Sequence, residues 1–137
     1  MDRNNINEKV SLMCDFQKEV SQILIRHKSI LDIMTKLDEY NARINRAVAK
    51  SVTTCGCIEI HANKQNFDSD SFVDLALNAK SHVEGEICES CNDVLEEEIG
   101  SYLFYLTSLC DTLGISFKDV LEKEFDRIKT LGIYSLK

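Results

Sequence analysis

Apolar residues in the first third of the chain recur at Ile6, Val10, Met13, Val20 and Leu24, and again at Leu31, Met34, Leu37, Ile44 and Val48. Steps of mostly three, four and seven place them along one side of a helix, so both stretches read as amphipathic helices facing a core or a partner helix. Arg26-His27-Lys28 is a polar interruption. Ser29 followed by Asp32 has the spacing of a fresh N-cap, which predicts two helices instead of one. Thr53-Thr54-Cys55-Gly56-Cys57 breaks the periodicity, residues 57–61 are the one stretch resembling a strand, and a polar linker runs from Asn63 to Asp70. Helical spacing resumes at Phe72, Leu75, Ala76 and Ala79 behind the cap pair Ser71 and Asp74. It continues at Val83, Ile87 and Cys91, then through Val94, Ile99, Tyr102, Leu103, Leu106, Leu109 and Leu113. Gly114 is a natural helix terminator, Ser116 with Asp119 restarts a helix, and Gly132 ends it. The stripe Phe117, Val120, Leu121, Phe125 and Ile128 predicts a buried face for this last helix. The fold class expected is all-α, a bundle of about four to five helices.

Composition narrows this picture. A length of 137 residues suits one domain, read here as 1–137, with N-terminal helices over 1–52 and a Cys-containing turn plus acidic helices over 53–137. The absence of proline and the presence of only five glycines favour long helices. No stretch approaches the roughly 18 apolar residues a membrane span requires, and the N-terminus lacks a secretory pattern. A cytoplasmic protein without a membrane partner is therefore expected.

Charge is unevenly placed. Residues 1–52 carry nine Lys/Arg against seven Asp/Glu, whereas residues 53–137 carry seven against sixteen. Between Lys80 and Lys118 there is no Lys or Arg, while Glu84, Glu86, Glu89, Asp93, Glu96, Glu97, Glu98 and Asp111 fall in that gap. Such a surface repels phosphate backbones and argues against direct nucleic-acid binding through this half. A bound divalent cation would reverse the local argument.

Six cysteines stand at 14, 55, 57, 88, 91 and 110. Without a secretory signal they read as reduced thiols or metal ligands, not as a disulfide framework. Cys55-Gly-Cys57 and Cys88-Glu-Ser-Cys91 form two close pairs, each able to act as a local chelate, and four thiolates are what a structural tetrahedral zinc site takes. Packing thiols, a redox pair or an iron–sulfur cluster are the competing readings, and His61 or His82 could replace one sulfur. Cys14 and Cys110, on or beside apolar helical faces, read as packing residues.

Glu96-Glu97-Glu98-Ile99-Gly100-Ser101-Tyr102-Leu103-Phe104-Tyr105-Leu106, then Leu113-Gly114-Ile115-Ser116-Phe117 and Val120-Leu121-Glu122, resembles the C-terminal helical pair of the MazG-like, all-α nucleoside triphosphate pyrophosphohydrolases over about residues 96–131. The resemblance implies a Mg²⁺-dependent cleavage of nucleoside triphosphates between the α and β phosphates, with acidic ligands from an E-x-x-E and an E-x-x-D pair. Glu86 and Glu89 have the spelling of the first pair, and Glu98 with neighbouring Glu97 falls at the second, whose aspartate position holds Ser101. Glu86, Glu89, Glu97 and Glu98 are thus the catalytic residues that the resemblance implies, and Asp38-Glu39 is the nearest substitute upstream. Hard carboxylate oxygens one helical turn apart suit Mg²⁺. Arg43, Arg46 and Lys50 form a basic stripe, which offers Arg46 and Lys50 as phosphate contacts or as partners for the acidic helix.

Two further readings stand beside a nucleotide-binding enzyme. One is a non-catalytic, zinc-stabilised interaction module that forms a homodimer through its helical faces. The other is a thiol–disulfide regulator, to which the lack of a basic neighbour at Cys88 or Cys91 is unfavourable.

Overall fold

Ser29, Ser71 and Ser116 each stop the chain in an extended conformation and begin a helix with the side-chain oxygen. The Leu31, Asp74 and Asp119 N–H groups donate to these hydroxyls at 3.3, 3.5 and 3.2 Å, so orphan first-turn donors are satisfied. The computed structural model describes the backbone of residues 3–135 and, within it, all side chains except those of 3–7, 9–11, 133 and 135. The expectations at Ile6 and Val10 lie outside the described side chains.

The elements are α1 (Arg3–Ile23), α2 (Ile30–Lys50), a π-helical turn (Ser51–Cys55), β1 (Ile58–Ile60), α3 (Phe72–Asn78), β2 (Val83–Gly85), α4 (Glu89–Thr112), α5 (Phe117–Leu131) and a closing 3₁₀ turn (Gly132–Ser135). This is an all-α fold with one two-stranded antiparallel sheet in which Ile58 pairs with Gly85, Glu59 with Glu84 and Ile60 with Val83. Among the described residues no helix is long and apolar enough to cross a membrane.

α2 packs along α4, and α1 lies against α4 and the start of α5. α2 and α4 run in opposite directions: Tyr40 stacks on Tyr105 with centroids 5.5 Å apart, Arg43 reaches Glu98, and Cys55 meets Cys88. Gln17 of α1 ties down the α4–α5 turn, since its amide nitrogen donates to the Ile115 carbonyl at 2.9 Å and its oxygen accepts from the Phe117 N–H at 2.8 Å. The buried side chains come from α1 and its exit (Val20, Leu24), α2 (Ile33), β1 (Ile58) and the second half of α4 (Thr107, Ser108, Cys110), together with Ser51.

Three expectations are corrected. Residues 83–88 are not helical: Val83 and Ile87 mimic helical spacing, but Val83–Gly85 pairs with β1, and α4 begins only after Cys88. The α5 stripe is not buried, because the helix contacts the rest of the chain near its ends and leaves Val120, Leu121, Phe125 and Ile128 exposed. Cys110 is buried as a packing thiol should be, whereas Cys14 is exposed.

Candidate metal centre

α2 does not stop where its periodicity ends. It widens into a π-helical turn, and the Gly56 N–H closes that turn on the Ser51 carbonyl at 2.9 Å. Gly56 has φ +77°, a left-handed conformation that costs most residues about 1 kcal/mol or more and glycine little. The reversal places Cys55 and Cys57 on either side of the turn, and Cys57 feeds directly into β1.

The small sheet then determines where the second pair arrives. β2 runs beside β1 and delivers the chain through Glu86 and Ile87 to Cys88, the N-cap of α4. Gly85 has φ +88°, and a Cβ there would stand 2.6 Å from the Cys57 carbonyl oxygen. A side chain at 85 would have to push the strand carrying a cysteine of the cluster. Gly85→Ala is therefore expected to destabilise the protein by about 1–3 kcal/mol and to weaken metal retention, read as a lower urea midpoint and faster metal loss to a chelator. Gly56→Ala meets no atom within 4 Å and carries only the cost of its φ.

The outcome is that Cys55, Cys57, Cys88 and Cys91 bring their sulfurs within 4.8 Å of one another. Sulfurs sharing a tetrahedral ion at about 2.3 Å stand about 3.8 Å apart, and the Cys55–Cys88 separation is 3.7 Å. Such a group of four thiols is fit to hold a metal ion. His61 and His82 are not needed as ligands: His61 instead contacts Glu59 at 2.9 Å and Glu84 at 3.6 Å. Those carboxylates, Glu59 first, raise the His61 pKa, so its charge offsets a like-charged cross-strand pair.

Electrostatics divide the four thiols. At the N-cap Cys88 accepts the Cys91 N–H at 3.4 Å, and this backbone donor, with the neighbouring thiols, brings its pKa down to about 7. For Cys91 the Ser51 hydroxyl favours the thiolate, but Cys88, burial and the remaining thiols outweigh it and push the pKa up to about 12. Cys55 is raised, chiefly by Cys88. A metal takes these ligands as thiolates, so metal entry must release the protons that the thiols still hold.

Beside the thiols an open groove runs between α2 and α4. Its outer part, about 400 Å³, is lined by Arg43, Arg46, Ala47, Lys50, Val94 and Glu98. Its inner part shares Ala47, Lys50 and Val94 and reaches Ser51, Cys55 and Cys91. Arg43 is engaged, 3.0 Å from Glu39 and 3.8 Å from Glu98. Among the described residues no carboxylate lies within ion-pair distance of Arg46 or Lys50, so the pairing expected for the basic stripe involves Arg43 alone.

The acidic residues are distributed differently from the thiols. Glu98 is partly covered against Arg43, Glu97 is exposed on α4, Glu89 is the exposed first residue of α4, and Glu86 is exposed in the link before it. Asp38 is exposed on α2. Among the described residues no three of these carboxylates gather: the ligand-type groups present are the four thiols and Glu59–His61–Glu84. Sequence reasoning missed the latter group because its members meet only through the pairing of β1 with β2.

Searches against protein-family models, curated proteins and solved structures return no match.

Proposed function

We propose that this chain is a zinc-stapled helical module that binds a nucleoside triphosphate in the groove between α2 and α4. The observation that carries the reading is the pair Arg46 and Lys50, two cations one helical turn apart that line a groove in a chain of net charge −7. Among the described residues neither has a carboxylate within ion-pair distance. A guanidinium and an ammonium set in this way favour phosphate oxygens. Ala47 and Val94 give the groove an apolar wall for a base.

Zinc is the ion that best suits the thiols. It prefers four thiolates in a closed tetrahedron, and thiols bound to the separate irons of a cluster would stand farther apart than sulfurs sharing one ion. Its role is structural, since four protein ligands leave no open position for substrate. The metal would tie the end of α2 to the start of α4 and so hold the groove open at a fixed width.

Hydrolysis in the MazG-like manner would need Mg²⁺ held by Glu97 and Glu98 together with acids from elsewhere, Glu86 and Glu89 being those the resemblance suggests. The failure of these carboxylates to gather favours binding without turnover. Calorimetric titration of nucleoside triphosphates with Mg²⁺ tests the reading, with pyrophosphate release followed in parallel. Saturable binding is expected, and Arg46→Ala with Lys50→Ala should weaken it by at least about 10-fold, since one charge-assisted contact contributes about 1.5–3 kcal/mol. Pyrophosphate release would identify a hydrolase. Neither binding nor turnover at millimolar nucleotide would leave a pure interaction module.

A further inference from the structure

A chain of 15.6 kDa folded as a compact monomer exposes about 7,200 Å². This chain exposes 10547 Å², a surplus of about 3,300 Å². Among the described residues the buried apolar set is correspondingly small: Val20, Leu24, Ile33, Ile58 and Cys110. The sequence carries more apolar helical surface than one copy of the fold covers.

Part of that uncovered surface gathers in one place. Leu12, Met13, Phe16, Leu103 and Phe117, from three helices, line an open cavity of about 240 Å³ built only from apolar side chains. Phe117 is also the first residue of an α5 row in which Leu121, Phe125 and Ile128 follow at helical spacing, so the row starts in the cavity and continues along the exposed helix. Leu12 is 69% exposed and Phe125 65%.

We infer that this face docks against the same face of a second copy of the chain, α5 row to α5 row, with the cavity covered by the partner. Area selects this occupant. Covering half of the surplus on each chain removes about 3,300 Å² in total, which lies in the range of obligate homodimers and above that of transient encounters. Charge permits it: chains of net charge −7 repel each other in general, but none of the cavity or row residues is charged, so this face adds no repulsion of its own. A two-fold interface requires a patch complementary to itself, a condition that an uncharged apolar row meets. This pairing leaves the nucleotide reading open, because Arg46 and Lys50 line a different groove.

Sedimentation equilibrium of the full chain, without nucleotide, tests the inference. The expected mass is twice 15.6 kDa at micromolar concentration. Phe125→Glu and, separately, Leu12→Glu should each raise the dissociation constant by at least about 100-fold by placing charges in the apolar interface. Helical circular dichroism should stay unchanged, since both side chains are already largely exposed in the single copy. Leu77→Glu, at a 78% exposed position on α3, should leave the dimer intact. A monomeric wild-type chain, or a dimer indifferent to both face variants, overturns the proposal.

Discussion

Cys88→Ser is expected to abolish metal retention and to lower the melting temperature by about 10 °C or more. Structural zinc contributes apparent binding energies of about 10–16 kcal/mol in small metal-dependent domains. The whole stability of a 137-residue chain is about 7–20 kcal/mol. Loss of even part of the first term is therefore a large share of the second, and each kcal/mol moves the midpoint by a few degrees at this size. Serine is chosen because Cys88 is also the N-cap of α4, and a serine hydroxyl caps as well as a thiol does. The loss observed then reports the metal and not the cap. Thermal denaturation followed by circular dichroism reads the effect. A chelator should shift the wild type toward the variant and leave the variant where it is; a variant melting with the wild type would remove the metal from the account of stability.

Ile33→Ala is the second substitution with a large expected effect, about 2–5 kcal/mol. Ile33 has no exposed surface, and few other apolar side chains among the described residues are buried. α2, which carries Ile33, packs along α4, and closing the vacated space would require one helix to shift against the other, so the upper half of that range is expected. The side chain two residues earlier provides the contrast: Leu31 is 69% exposed, and Leu31→Ala should stay within about 0.5 kcal/mol. Urea denaturation of both variants, at equal protein concentration, gives the comparison.

Features that depend on neighbours in sequence were legible before the fold was known. Ser29, Ser71 and Ser116 cap helices where their spacing from an acidic residue three positions on predicted a start. Gly114 and Gly132 adopt positive φ at the helix ends they were expected to terminate. The two cysteine pairs could be seen as chelates because each is local, and the fold brings them together. Illegible features depend on distant parts of the chain. Val83, Ile87 and Cys91 keep helical spacing, but the pairing of β2 with β1 and the close passage of Gly85 over the Cys57 carbonyl override it. The π-helical turn at Ser51–Cys55 has no periodic signature, since it adds one turn to a helix whose stripe has already ended. Phe117, Leu121, Phe125 and Ile128 have the spacing of a buried face, and periodicity does not specify whether the cover comes from the same chain.

A zinc ion on the four thiols, the centre of the proposed function, would connect these observations, because the thiols stand between the end of α2 and the start of α4, beside the basic groove and the small sheet. Elemental analysis of the full chain purified without chelators, normalised to protein concentration, tests that claim most directly. One equivalent of zinc per chain is predicted, falling to background in Cys88→Ser. Wild-type protein that is free of metal, and whose melting temperature does not rise when zinc is added, would contradict it.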